Sequence, residues 1–211
     1  MTQTQQSNFT IAGAIGSLMA FLALVVIAFI PRPFESMDHF AILSGLHTLS
    51  PDELSGYKNY VITNFTFDSI YLIGHLLMWF GYVSYILKSN RTIAGIVAIL
   101  GIISAFLDFT ENEIRWSALE ILVNGSTSNM LLWQTIFGLS FWVIFITALI
   151  CGLVTLEKSL IKKVPISLAI IGVLIAPLSY KFGFLPAFLW LIIWHLGSAF
   201  FLWNFRSTKN S

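Results

Sequence analysis

Asp68, Tyr71, His75 and Trp79 follow one another at spacings of three, four and four residues within a single apolar stretch, so a helix there carries all four on one stripe. An ionised carboxylate inside a lipid-crossing helix costs roughly 2.5 to 3.5 kcal/mol on insertion scales, and Asp68 is therefore expected to face protein or water. A second polar set is the run Asp108-Phe109-Thr110-Glu111-Asn112. If that run is helical, Asp108, Glu111, Asn112 and Arg115 share a face, and Glu111 and Arg115 have ion-pair spacing. Two carboxylates in one poorly hydrated place do not both ionise freely, and the one that keeps its proton can act as an acid. Asp68, Asp108 and Glu111 are the candidate catalytic groups on this ground. Tyr71, His75, Asn112, Arg115 and Gln134 are the candidate ligand-binding groups around them. The competing reading makes Asp108 and Glu111 solvated residues of the membrane interface, anchored by Arg115 and Trp116, and Asp68 a structural hydrogen-bonding group.

His195, in Trp194-His195-Leu196-Gly197-Ser198, stands at about the same depth as His75, roughly 18 Å along its own helix. Two level histidines on different helices could ligate a b-type haem axially; otherwise each makes a hydrogen bond to a neighbouring helix. No other cofactor or metal has a ligand set in the chain, so none is expected beyond that haem alternative.

These groups must be carried by membrane-crossing elements. Of the 211 residues 57% are hydrophobic and 10% charged, and the mean hydropathy is +0.84, whereas an ordinary soluble domain carries roughly 25% charged residues. Apolar runs of about 20 residues are the length a helix needs to cross about 30 Å of hydrocarbon. The expected fold is all-α: one transmembrane domain over 1–211, a bundle of about six helices. The spans are expected near Phe9 to Ile30, Thr63 to Leu87, Thr92 to Leu107, Met130 to Leu156, Val164 to Tyr180 and Gly183 to Trp203. Helix is required because lipid offers the backbone no hydrogen-bond partner, and a β-barrel would show alternating segments of about 10 residues. The first apolar run is longer than a secretory core and its polar lead has no Lys or Arg, so it reads as a span and not a cleaved leader.

Lys88 and Arg91, then Lys158, Lys162 and Lys163, then Arg206 and Lys209 all fall on one side of a six-span chain. Basic loops stay cytoplasmic, which predicts both termini inside, an acidic outer face, and residence in a prokaryotic cytoplasmic (inner) membrane. Two outer loops carry helix signals. In the first, Met37 to Leu49 mixes Asp38, His39 and His47 with apolar residues, and Ser50-Pro51-Asp52-Glu53 has the N-cap, N1 proline and first-turn acids of a helix start. In the third, Ser117 and Glu120 have capping-box spacing and Gly125 can end the helix. Both predict short amphipathic helices on the membrane surface. Small residues at helical spacing, Gly13 with Ser17, Ala94 with Ala98 and Gly101 with Ala105, predict close helix approach.

A net charge of +1 without a basic cluster excludes a nucleic-acid footprint, and the single Cys151 gives neither an internal disulfide nor a cysteine metal site. No mid-helix lysine, G-x-S-x-G, H-E-x-x-H, Walker loop or arginine row is present. The Asp-x-x-Glu-Asn run at Asp108 to Asn112, following an apolar helix, resembles a pattern in small uncharacterised prokaryotic polytopic membrane proteins. The resemblance covers one short motif and implies that Asp108, Glu111 and Asn112 form a site, with no activity attached. Three classes of function stay open. One is a polar, acidic site near the outer face that binds a lipid or small molecule, as in a membrane-embedded enzyme acting on a lipid or isoprenoid-like substrate with Asp68 or Asp108 as general acid or base. Another is a carrier or channel using Asp68 and His75 as proton or cation stations. The last is a non-catalytic subunit whose surface helices bind a partner. Membrane lipids are the expected surroundings in each.

Overall fold

The computed structural model describes residues 3–30, 50–124, 139–140, 142–144, 146–151, 153, 163–182 and 185–207. Among them the regular structure is helical throughout, with no strand. The helices are α1 (Gln3–Phe29), α2 (Pro51–Ile86), α3 (Arg91–Asn124), a shorter apolar α4 within Trp142–Cys151, α5 (Val164–Phe182) and α6 (Leu185–Ser207). Four are long and apolar enough to cross a membrane, over Ser7–Phe29, Pro51–Ile86, Arg91–Thr110 and Phe188–Phe205. The large apolar side chains left exposed on them, such as Leu22, Ile99, Phe106, Ile193 and Phe200, lie along helices of membrane-crossing length. Lipid tails solvate such faces at no cost. The chain is a helical membrane protein.

Small residues set how the helices meet. α1 packs against α2 and α6, α3 against α2, and α5 against α6. A Cβ added to Gly13 would stand 2.5 Å from Gly81 Cα, and one added to Gly74 would meet Gly16 O and come within 2.7 Å of Ala20 N. Pairing of Gly13 with Gly81 and of Ala20 with Gly74 makes α1 and α2 antiparallel, with backbones touching as only glycine permits. On the other side Gly101 of α3 accepts the flat face of Trp79, whose Cγ would lie 2.9 Å from an added Cβ. α6 runs parallel to α2, since His75 meets His195 and Tyr85 meets Phe205. Lys88, in the α2–α3 turn, stands over the Phe205 ring at 5.7 Å, so that turn and the end of α6 share one side of the bundle. α4 contributes Ile144, Ala148 and Cys151 to the same buried cluster.

The turn Leu87–Asn90 is short because Asn90 both ends one helix and starts the next: its N–H donates to Ile86 O at 2.9 Å and its side-chain oxygen accepts from Ile93 N at 3.0 Å. At the other end of α2 the expected helix start is present. Ser50 Oγ accepts from Glu53 N, the Glu53 carboxylate accepts from Ser50 N at 2.7 Å, and Pro51 follows as the first helical residue.

What that cap opens differs from the expectation of a separate surface helix. α2 is continuous for 36 residues, about 54 Å against roughly 30 Å of hydrocarbon. Its buried stripe keeps one phase from Tyr57 and Val61 through Tyr71, His75, Met78, Tyr82 and Tyr85, so nothing interrupts the helix between the cap and the span. α3 behaves alike. Its 34 residues include Ser117 and Glu120 and end at Asn124, beside the glycine expected to stop it. Two long helices therefore project past the apolar zone at the end opposite the Leu87–Asn90 turn. Met37 to Leu49 lies outside the described residues.

Candidate functional site

Four helices meet at one buried polar cluster near the middle of their apolar stretches. α2 brings Tyr71, His75 and Trp79, α6 brings His195, α1 brings Ser17 and α3 brings Ser104. His75, His195, Ser17 and Ser104 are each at most 1% exposed, in a setting where an unpaired polar group costs several kcal/mol. Every one of them is hydrogen-bonded. His75 Nδ1 lies 3.3 Å from His195 Nε2. His75 Nε2 lies 3.2 Å from Ser104 Oγ and accepts from Trp79 Nε1 at 2.8 Å. Ser17 Oγ donates to His195 O at 2.7 Å and stands 3.5 Å from His195 Nδ1. Ser104 Oγ donates to Gly101 O at 2.8 Å.

Local sequence explains how the cluster is reached. His75 and Trp79 are one turn apart on α2, which lets the indole N–H reach back to the imidazole. Gly101 removes the side chain that would hold α3 off Trp79, and this brings Ser104, three residues on, against His75. Gly16 and Gly74 draw α1 onto α2, which carries Ser17 to α6. Tyr71 covers the pair from one side, its ring 5.4 Å from both imidazoles.

On the side towards the α2–α3 turn the space is filled by aromatic rings. Tyr82 is stacked between Trp194 at 6.0 Å and Phe201 at 5.7 Å, and Tyr82 OH bonds Ser198 Oγ at 3.0 Å. Trp79, Tyr82, Trp194 and Phe201 are at most 2% exposed. The other side is polar. Taking His75 and Ser104 as level, Asp108 stands one turn further along α3, about 6 Å, and Asn112 about 12 Å, while Asp68 stands about 10 Å along antiparallel α2. Asp108 and Asn112 continue the face of Ser104, and Asp68 continues that of His75. Asp68 and Asp108 are half-buried and Asn112 is buried.

The expected residues thus fall into two groups. Tyr71, His75 and His195 come together in direct contact. Asp68, Asp108 and Asn112 lie at matching heights on facing helices, one to two turns away. Glu111 and Arg115 are on α3, with side chains outside the described residues, and Gln134 is outside them altogether. Ser17, Ser104 and Trp79 were not expected as partners of the histidines. The available signs were hydroxyls at helical spacing from small residues, Gly13 to Ser17 and Gly101 to Ser104, and a tryptophan one turn from a histidine. Among the described residues no group of three or more His, Cys, Asp or Glu is placed to hold a metal ion. Compared with protein-family models, with curated proteins and with solved structures, the chain matches none.

Proposed function

We propose that this membrane protein binds a polar lipid headgroup or small molecule at an acidic site formed by Asp68, Asp108 and Asn112, with Tyr71 and the histidine pair as its floor. The observation that supports this is the register of α2 against α3. The 3.2 Å contact of His75 with Ser104 and the seating of Trp79 on Gly101 bring Asp68 between the heights of Asp108 and Asn112, so that an acid from each helix stands within about a turn of the other in height. The aromatic packing beyond the pair favours a site closed at its base over a path conducting ions or protons through the bundle.

The site opens away from the α2–α3 turn. The placing of Lys88 and Arg91 at the α2–α3 turn and of Arg206 near the end of α6, all at the opposite end, supports cytoplasmic termini and an outward-facing site in a prokaryotic inner membrane. Native mass spectrometry of the protein released from nanodiscs tests the binding reading. A discrete adduct on the wild type that is lost in both Asp68→Asn and Asp108→Asn is expected, and an identical adduct pattern in all three would defeat it. In a Cys151→Ser background, an impermeant thiol reagent on intact cells should label a cysteine at 125 and spare one at 159; the reverse pattern would invert the topology.

A further inference from the structure

The hydrogen bonds of the histidine pair determine where its protons sit. An indole N–H donates and never accepts, so the 2.8 Å bond from Trp79 Nε1 requires His75 Nε2 to be the bare, accepting nitrogen. Neutral His75 then carries its proton on Nδ1, and that N–H points at His195 Nε2, 3.3 Å away. His195 Nε2 is consequently the acceptor and bare, which leaves the second proton on His195 Nδ1, facing Ser17 Oγ at 3.5 Å. Ser17 can receive it, because its own proton is committed to His195 O at 2.7 Å. Ser104 is likewise committed to Gly101 O. One arrangement of protons satisfies every group, and it runs in a single direction from Trp79 through His75 and His195 to Ser17.

We infer that Trp79 is a tautomer lock: it holds His75 in the Nδ1–H form and so withholds the lone pairs of both histidines from any metal, haem iron or relayed proton. Each bare nitrogen of the pair already faces an N–H. A relay must be able to reverse its string of bonds after each transfer, and reversal here would put a proton on His75 Nε2, head-on to the indole N–H. Axial ligation needs one bare nitrogen from each ring aimed at a common atom, whereas these two accept from Trp79 and His75. The pair is a joint between helices. The inference stands on these bonds alone and is independent of what the acidic residues bind.

Nitrogen-15 spectroscopy of histidine-labelled protein in nanodiscs tests it, in a His39→Gln, His47→Gln background that leaves only the pair. Protonated and bare ring nitrogens resonate in separate regions, and the wild type should give one tautomer per ring, Nδ1–H for both. Trp79→Phe keeps a ring against Gly101 but removes the donor, and should bring a His75 Nε2–H signal that bonds Ser104. Ser104→Ala leaves the indole in place and should leave the tautomers unchanged. An Nε2–H signal from His75 in the wild type would overturn the lock, as would a folded Trp79→Phe whose tautomers do not move. If Trp79→Phe does not fold, the wild-type spectrum decides by itself. Haem supplied during expression should leave the protein without a low-spin bis-histidine spectrum, and one that disappears in His75→Ala would also overturn it.

Discussion

The two polar regions of this bundle lie within two helical turns of each other and are built in opposite ways. Around His75 and His195 the side chains of Ser17, Trp79 and Ser104 are almost fully buried, come with the histidines from four helices, and are hydrogen-bonded within the protein. Around Asp68 and Asp108 the side chains are half-buried and come from the two helices that project beyond the apolar zone. A closed network in lipid holds its helices together because breaking it strands donors and acceptors. The acidic residues come from two helices and are less deeply buried, so they are expected to contribute less to holding the bundle together. The two regions are therefore distinguished by depth of burial and by how many helices contribute, not by residue type.

The widest gap between the regions should appear where the backbones touch. Gly74→Val places side-chain atoms into Gly16 O and the Ala20 backbone, which neither helix can yield without losing the α1–α2 contact and with it the histidine joint. A loss of at least about 3 kcal/mol is expected, seen as a collapse of folded yield in detergent and of thermal stability. A Gly74→Val protein as stable as the wild type would mean that α1 does not pack on α2 in this way.

Next in size is the joint itself. His195→Ala removes the acceptor for His75 and opens a cavity, and should cost about 3 kcal/mol. Because the rings are bonded to each other, His75→Ala and the double variant should show a non-additive coupling of about 1 kcal/mol or more in thermal or denaturant unfolding. Additive losses would mean that the two histidines act separately.

Asp68→Asn and Asp108→Asn sharpen the contrast from the other side. Each should change stability by less than about 1 kcal/mol while abolishing the adduct in native mass spectrometry. A stability loss as large as that of His195→Ala would turn the acidic group into a second structural joint.

The smallest effect belongs to the exposed start of α2, beyond the apolar part of that helix. Hydrogen bonds from the Ser50 backbone N–H and side chain hold the Glu53 carboxyl below its usual range. A carboxylate with a lowered folded-state pKa adds stability that is complete above its unfolded pKa and is lost as the pH falls through the folded value. Protection of the first α2 amides should therefore weaken only in acid, with the histidine joint unaffected, and Ser50→Ala, which removes the side-chain bond but keeps the larger contribution of the backbone N–H, should leave most of that pH dependence in place. Hydrogen exchange corrected for the intrinsic rate at each pH reads this directly.

Much of this arrangement is legible in the chain. Apolar runs point to the membrane class and to four of the expected spans, Ser50-Pro51 marks the start of α2, and counting residues along two helices puts His75 level with His195. The length of α2 was harder, because an amphipathic segment beside a span reads the same whether it lies on the membrane or extends the helix. What distinguishes the two is phase: Tyr57 and Val61 continue the stripe that Tyr71 and His75 occupy, and a surface helix has no reason to keep that register. The joint escaped for a different reason. Ser17 and Ser104 look like small packing residues on their own helices, and their polar role exists only once Gly16, Gly74 and Gly101 let three helices close around α2. The match in height of Asp68 with Asp108 likewise needed the register between α2 and α3 in the folded chain, which the short turn implies only to within a turn of helix.

The joint also has a place in time. Ser17, His75 and Ser104 are made early in translation, and His75 can find Trp79 and Ser104 as soon as α3 is inserted, but the Ser17 hydroxyl and the His75 Nδ1–H have their partners 178 and 120 residues further along the chain. Until α6 enters the bilayer, these polar groups lack the ligands that make them tolerable there. A chain interrupted before His195 would hold α1, α2 and α3 with polar groups that α6 has not yet matched. The membrane quality-control machinery would have a ready mark by which to tell an unfinished copy from a finished one.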